Sequence, residues 1–384
     1  MSTTTTPIAL TDLSAPIEEI AAHAAEVDRD ARFPVESIEA LRFAGLLGLG
    51  VAERFGGPGG TPRDVAEAIE AVAGACGSTG MIYTMHLVAV QTLQACAGGD
   101  DGPLPDTLRA VAARDHLTTI AFSEKRTRSH FWAQLSTATE TADGVRFDAE
   151  KSWVTASAHA DSYVTSVRAP GATDSLVTEL YLVEADSPGI EIQGLFDGLG
   201  MRGNGSSPVI FTGVEVGADR RLGDREGGFG VMMSATLPWF VLGCAACCVG
   251  LSGAALDQAA AHVSAARLEH EGASLADLPT IRARLGNAKV RHMQARALLY
   301  EVAAQLELGA PEAQLGVLAL KAACAEMAIE VTDAAMRVCG GAAYSKHLPL
   351  ERLFRDARAA SVMAPTTDLL VDFLGKTLTG QPLF

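Results

Sequence analysis

The hydrophobic period of this chain changes twice, from about 3.6 residues to 2 near Leu117 and back after Gly230. Those two switches restrict its fold more than any other feature. Before the first switch, Ile17, Ile20, Ala21 and Ala24 recur at helical spacing; Pro34 opens a second helical segment and Gly45 closes it. A glycine-rich loop follows at residues 55–60. Residues 64–75 and 81–95 predict two more helices, the second apolar on all sides and therefore buried. Between the switches, residues 117–123, 145–155, 162–168, 179–183, 190–195 and 208–216 carry β-branched or aromatic residues between turn signals such as Asp143-Gly144 and Pro188-Gly189. Strands in such succession with no helix between them exclude βαβ crossovers, so a barrel or sandwich is expected. Past Gly230, residues 251–268, 278–308, 311–339 and 364–378 predict long Ala/Leu-rich helices of a size that suits a four-helix bundle. The expected fold class is α+β: an N-terminal helical domain over 1–116, a central β-barrel domain over 117–226 and a C-terminal helical bundle over 227–384.

Charge and composition narrow the function. Acidic residues outnumber basic ones 46 to 30, a net charge of −16, so a phosphate backbone would bind against the field of the whole molecule. Nucleic acid is not an expected partner. The 7 cysteines are odd in number and irregularly spaced, which suggests reduced, buried thiols. Cys244 and Cys247 form a CxxC pair without the second pair that zinc requires, so no metal is expected. Residues 1–9 are a polar Thr-rich run without the basic and apolar segments of a signal peptide, which predicts a cytoplasmic protein. The most apolar stretch, 237–251, contains Pro238 and is shorter than the roughly 20 residues of a bilayer span. Gly198-Leu199-Gly200-Met201-Arg202-Gly203 matches GxGxxG, but residues 204–208 lead into another strand and not into the helix that a dinucleotide cradle needs. A glycine-rich turn is the expected reading.

Several short segments then recur in a telling order: Phe33-Pro34 with Gly45 and the Phe55-Gly56-Gly57 loop; Ala121-Phe122-Ser123-Glu124; Lys151-Ser152-Trp153-Val154-Thr155; Gly198-Leu199-Gly200-Met201-Arg202; Phe229; Cys339-Gly340-Gly341; and Arg355-Asp356-Ala357. In this order and at this spacing they resemble the acyl-CoA dehydrogenase flavoprotein superfamily, from about Phe33 to the C-terminus. The resemblance implies a noncovalent FAD between the β domain and the bundle, in a homodimer or homotetramer whose neighbouring subunit completes the cofactor site. It assigns Phe122, Ser123, Trp153, Thr155, Arg267, Arg337, Gly340, Gly341 and Thr366 to the cofactor. Short hydroxyls such as Ser123 and Thr155 can bond flavin heteroatoms, and an indole offers an apolar wall that excludes water. Arg337 stands where the family usually has Gln, and its guanidinium suits a diphosphate. The alternatives are a packed strand aromatic for Trp153, a solvated helix arginine for Arg337 and a plain helix C-cap for Gly340 and Gly341.

The chain also departs from that family. The glutamate that abstracts the substrate α-proton is replaced by Ala364, in the segment Ala364-Pro365-Thr366-Thr367-Asp368, and residues 237–242 hold no carboxylate either. Asp368 is the relocated-base candidate. The segment after Ser123 is unusually basic: Lys125, Arg126 and Arg128 suit a phosphopantetheine phosphate or a substrate carboxylate, Ser129 joins them as a substrate contact, and His130 suits acid–base work near neutral pH; the alternative is a solvated loop. The expected activity is α,β-dehydrogenation of an acyl thioester carried by CoA or an acyl carrier protein, with an electron-transfer flavoprotein or oxygen as acceptor. A monooxygenase using reduced flavin and oxygen is the second expectation, and a non-catalytic, flavin-free homologue the third.

Overall fold

In a computed structural model, the described residues are 13–384. Five helices come first: α1 (Ser14–Asp30), α2 (Val35–Phe43), α3 (Pro62–Ala75), α4 (Gly77–Cys96) and α5 (Pro103–Ala112). Thr61 and Asp64 close a capping box at the start of α3, which satisfies the N–H groups of both residues. The chain then enters β1 (Thr118–Ala121), β2 (Ala138–Glu140), β3 (Gly144–Val154), β4 (Ser162–Arg168), β5 (Thr178–Glu184), β6 (Ile190–Ile192), β7 (Ser207–Gly217) and β8 (Arg221–Leu222). These build two four-stranded sheets, β1-β4-β5-β8 and β2-β3-β7-β6, antiparallel except for the β1–β4 pair. Phe147, Tyr163, Tyr181 and Phe211 fill the space between them.

Strands β4 and β5 are buried on both faces, and alternation explains how. Tyr163, Tyr181 and Val183 face the other sheet, while Val164, Leu180 and Leu182 join the core of the helices. The helices before and after the β region share that one core, so the two helical ends of the chain pack as a single body against one face of the sandwich.

The second helical part comprises α6 (Gly228–Val231), a π-helical turn (Met232–Thr236), α7 (Leu237–Ala265), the hairpin strands β9 (Arg267–Leu268) and β10 (Ala273–Ser274), α8 (Pro279–Glu307), α9 (Ala313–Cys339), α10 (Gly341–Tyr344), α11 (Leu350–Asp356), α12 (Ala359–Val362) and α13 (Thr367–Thr379). The expected helix 251–268 is corrected at both ends. Helix α7 starts 14 residues earlier and stops at Ala265, with Arg267 and Leu268 in a strand. Pro238 does not prevent this, because a first-turn proline lacks only an N–H that would be orphaned anyway. The Gly/Ala/Cys run is apolar on every side because α7 is surrounded by α3, α4, α8 and α9. At Gly250 a Cβ would lie 2.1 Å from the Glu70 carbonyl oxygen, so only glycine permits that helix–helix approach. The run Gly228–Ala265 is long and apolar enough to cross a bilayer, contrary to the expectation from residues 237–251, but 78% of its most apolar window is buried in the protein and its apolarity belongs to the core. Strand 190–195 is also shorter than expected, ending at Ile192. All 7 cysteines are free thiols, and the CxxC pair lies buried in α7.

Candidate functional site

The site grows from the end of β3. Val145, Phe147, Ala149 and Lys151 alternate inward along this strand, so the parity of the strand drives Lys151 into the interior. An ammonium there needs acceptors, and the fold supplies them: Nζ donates to Glu124 Oε1 (2.9 Å), Gln134 Oε1 (2.7 Å) and the Ser166 carbonyl (2.5 Å), with the Phe122 carbonyl a longer, shared acceptor at 3.3 Å. Burial works against the Glu124 carboxylate, but Lys151 and the N–H groups of Leu135 and Ser136 outweigh it and hold the carboxyl below its ordinary range. The pair staples four segments: the end of β1, the loop 124–136, β3 and β4.

Just past the staple the β3–β7 register slips between Lys151 and Val154. Trp153 sits in this bulge at φ 58°, a strained conformation for an aromatic residue, and 71% of its surface is exposed. It is not packed between the sheets. Among the described residues the one aromatic ring it meets is Phe196, edge-on at 6.4 Å. Ser152 N–H donates to the Ser123 carbonyl at 2.8 Å, which brings the Ser123 strand end beside the indole. Phe122 is buried and stacked on Phe131; Thr155 is buried with its hydroxyl 3.1 Å from that of Ser206.

The loop 124–136 presents its charges outward. Lys125, Arg126, Arg128 and His130 are exposed and Ser129 is half-buried, while Glu124, Phe131, Trp132 and Gln134 anchor the loop from below. None of the three cations forms an ion pair among the described residues. The His130 ring stands edge-on to Trp132 at 5.4 Å, and Trp132 joins Phe373 and Phe384 in an aromatic cluster that Phe229 extends. Sequence reading missed this cluster because its members come from three distant segments. Lys151 and Glu124 were equally missed as a pair, although the inward parity of β3 was a usable signal.

The remaining assigned residues lie on the helical body. Arg337 is exposed in the last turn of α9 and pairs with Asp333 at 2.7 Å; Gly340, at φ 55°, closes that helix, and open space surrounds Gly340 and Gly341. Arg267 is exposed in β9, its guanidinium donating to the Gly272 carbonyl. Among the described residues no hydrogen bond, ion pair or ring contact joins this group to Ser123, Trp153 or Thr155. Ala364 is half-buried in the turn between α12 and α13. Thr366 caps α13 without a side-chain cap bond, the neighbouring Thr367 hydroxyl is buried with no partner, and Asp368 is exposed in the first turn of α13. A carboxylate there steadies the helix N-terminus.

The GxGxxG segment is a seam. Gly200 abuts the Arg355–Asp356 backbone, Met201 N–H donates to Asp356 Oδ1 at 2.5 Å, and Gly203 N–H donates to Ser78 Oγ. Arg355 clamps Asp28 bidentately and also pairs with Glu351, so the segment joins α1, α4 and α11 to the β region and holds no helix N-terminus of its own. Burial pushes the Asp356 carboxyl up to about 6. Among the described residues no cluster of His, Cys, Asp and Glu suits a metal.

Comparison with known proteins matches three family models: acyl-CoA dehydrogenase N-terminal domain over residues 17–99, middle domain over 119–214 and C-terminal domain over 226–379. A probable acyl-CoA dehydrogenase of Bacillus subtilis is 28% identical over 353 residues, 92% of each chain. A 3-sulfinopropanoyl-CoA desulfinase of Paraburkholderia xenovorans is 28% identical over 373 residues, 96% of this chain and 94% of the relative. The structure of butyryl-CoA dehydrogenase from Megasphaera elsdenii superposes with a TM-score of 0.90 at 22% identity, covering 95% of each chain.

Proposed function

The chain belongs to the acyl-CoA dehydrogenase family, and from that premise we propose that it is an FAD-dependent oxidoreductase that removes hydrogen from Cα and Cβ of an acyl thioester carried by CoA or by a carrier protein. The observation that carries this reading is the construction around Trp153. A large aromatic plate is held in a strained bulge and left exposed, between two strand ends that offer short hydroxyls, over a buried ion pair. Ordinary packing gives no reason to expose that indole, whereas a planar apolar cofactor does. The unspent hydroxyls of Thr366 and Thr367 fit the same group, since a flavin ring offers heteroatoms to bond them.

In this reading FAD, when bound, supplies the acceptor for a hydride from Cβ. Ser123, Thr155 and Thr366 orient it by hydrogen bonds, and Trp153 keeps water from its ring. Arg267 and Arg337 hold the diphosphate, with Gly340 and Gly341 allowing close backbone approach. Because these groups lie apart from the indole within one chain, a neighbouring copy in a homodimer or homotetramer brings the second set to the first. Lys125, Arg126, Arg128 and Ser129 receive the anionic carrier of the thioester, and electrons leave to an electron-transfer flavoprotein or to oxygen. Proton transfer from Cα cannot use Ala364, a methyl group; His130 and Asp368 are the nearby titratable groups of the assigned set. The reading places the protein in the cytoplasm.

Ala364 also favours a second reading, a monooxygenase of the same fold. A reduced flavin held by Ser123, Trp153 and Thr155 would supply the two electrons which, with two protons, let one atom of O2 enter the substrate and the other leave as water, so no base for Cα would be needed. One experiment separates the readings. Purified protein is loaded with FAD and mixed anaerobically with a panel of acyl thioesters while flavin absorbance is followed. Bleaching supports dehydrogenation; no bleaching, with product only when reduced flavin and oxygen are both supplied, supports the second reading. A colourless protein that takes up no FAD overturns both.

A further inference from the structure

The interior holds a second buried lysine, and this one has no acid to answer it. Lys321, in α9, is fully buried, and its Nζ donates to the carbonyls of Ala360 (2.7 Å), Met363 (3.0 Å) and Pro365 (2.8 Å). Three acceptors use all three protons of an ammonium; a neutral amine has only two to give. Among the described residues no carboxylate lies within ion-pair distance of it. The titratable groups facing it are the thiols of Cys244 and Cys248 from α7, and burial pushes both up, Cys244 to about 11, so they stay protonated and bring no counter-charge.

A buried ammonium without a counter-ion is expensive, and an apolar side chain of similar volume would fill the space at lower cost. What the lysine does that methionine cannot is gather carbonyls. All three lie within residues 360–365, a stretch that runs from inside α12 through the turn to α13, and α9 packs on both of those helices. That turn contains Ala364 and leads directly into Thr366 and the orphaned Thr367 hydroxyl. Without the ammonium, three carbonyls converging on a dry interior would repel one another and lack donors.

We propose that Lys321 is a positioning residue: by binding three backbone carbonyls of the 360–365 turn it sets where position 364 and the Thr366 hydroxyl stand in the active site. The assignment of that turn to an active site rests on the function proposed above; the holding of the turn does not. Lys151 and Lys321 thus do parallel work, each pinning one strip of backbone next to assigned site residues.

The test uses the FAD-loaded full chain with Lys321→Met and Lys321→Gln. Methionine fills the volume without donors, and glutamine restores two. Hydrogen exchange of residues 359–369 is expected to speed up at least tenfold in Lys321→Met and by less in Lys321→Gln, with exchange in β3 and β7 unchanged. The rate constant for flavin bleaching by thioester, read at saturating FAD, is expected to fall at least tenfold in Lys321→Met, and FAD affinity to fall with it because the Thr366 hydroxyl is displaced. A space-filling role ranks the variants the other way, methionine closer to wild type than glutamine, and that order overturns the proposal. So does exchange within twofold of wild type in a folded Lys321→Met, or the failure of both variants to fold, which would make the lysine a general folding residue. If the wild-type protein takes up no flavin, the proposed function fails while the exchange comparison still decides this inference.

Discussion

Replacing Lys151 by methionine tests how the β region holds its site. The substitution keeps the volume and leaves the Glu124 carboxylate, itself almost fully buried, without its cation. Breaking a buried pair from one side costs about 3–5 kcal/mol. A second route gives the same size: Glu124 can escape by taking up a proton, and protonating at pH 7 a carboxyl whose ordinary value is 4.5 costs about 1.4 kcal/mol for each of roughly 2.5 pH units, or about 3.5 kcal/mol. The two agree, so Lys151→Met should lose about 3–5 kcal/mol at pH 7. The loss should also depend on pH. In the variant the Glu124 pKa is raised above its unfolded value, so stability is greatest below about 4.5 and is lost as pH rises; in the wild type the pKa is lowered, and stability is lost as pH falls. Both effects shrink the difference at low pH, by about 2–3 kcal/mol between pH 7 and pH 5. Urea denaturation of both proteins at the two pH values reads this directly, and Lys151→Met/Glu124→Gln should recover much of the loss. A loss under about 1 kcal/mol at pH 7, or one that is the same at both pH values, would refute the argument.

Three further outcomes follow from the geometry. His86 is buried and neutral, its Nε2–H on the Leu47 carbonyl and its Nδ1 accepting from Thr118 N–H, and burial lowers its pKa to about 4. Its unfolded form protonates near 6.5, so stability should fall by about 3 kcal/mol as pH drops from 6.5 to 4; the slope in that window should vanish in His86→Gln, as measured by denaturation across pH. Trp153→Ala should change stability by less than about 1 kcal/mol, because the side chain is largely exposed, yet weaken FAD binding at least tenfold in a flavin titration. Reversing Lys125, Arg126 and Arg128 to glutamate should leave the melting temperature unchanged and raise KM for the thioester at least tenfold at low salt, an effect that shrinks as ionic strength rises.

What could be read from the chain alone was whatever a local period or a short segment carries. The helix–β–helix order followed from the two changes of period, and β4 was located to the residue because its β-branched run has clear turn signals at both ends. The GxGxxG segment was correctly refused as a dinucleotide cradle because the neighbouring residues continue into a strand. The start of α7 escaped because a helix buried on all sides has no amphipathic period to betray it. Ser123 and Thr155 were expected at strand ends, and both stand one or two residues beyond β1 and β3.

The sequence by itself thus determined the family, the order of the parts and the absence of a carboxylate at position 364, since each depends only on residue identity and spacing along the chain. Only the tertiary structure decided that the two helical ends share one core, that Lys151 meets Glu124 across 27 residues, and that Lys321 meets the turn 360–365 across about 40. The physical reason is the same for both lysines. Burial of an ammonium is tolerable only where distant acceptors converge on it, and that convergence is a property of packing, not of any segment.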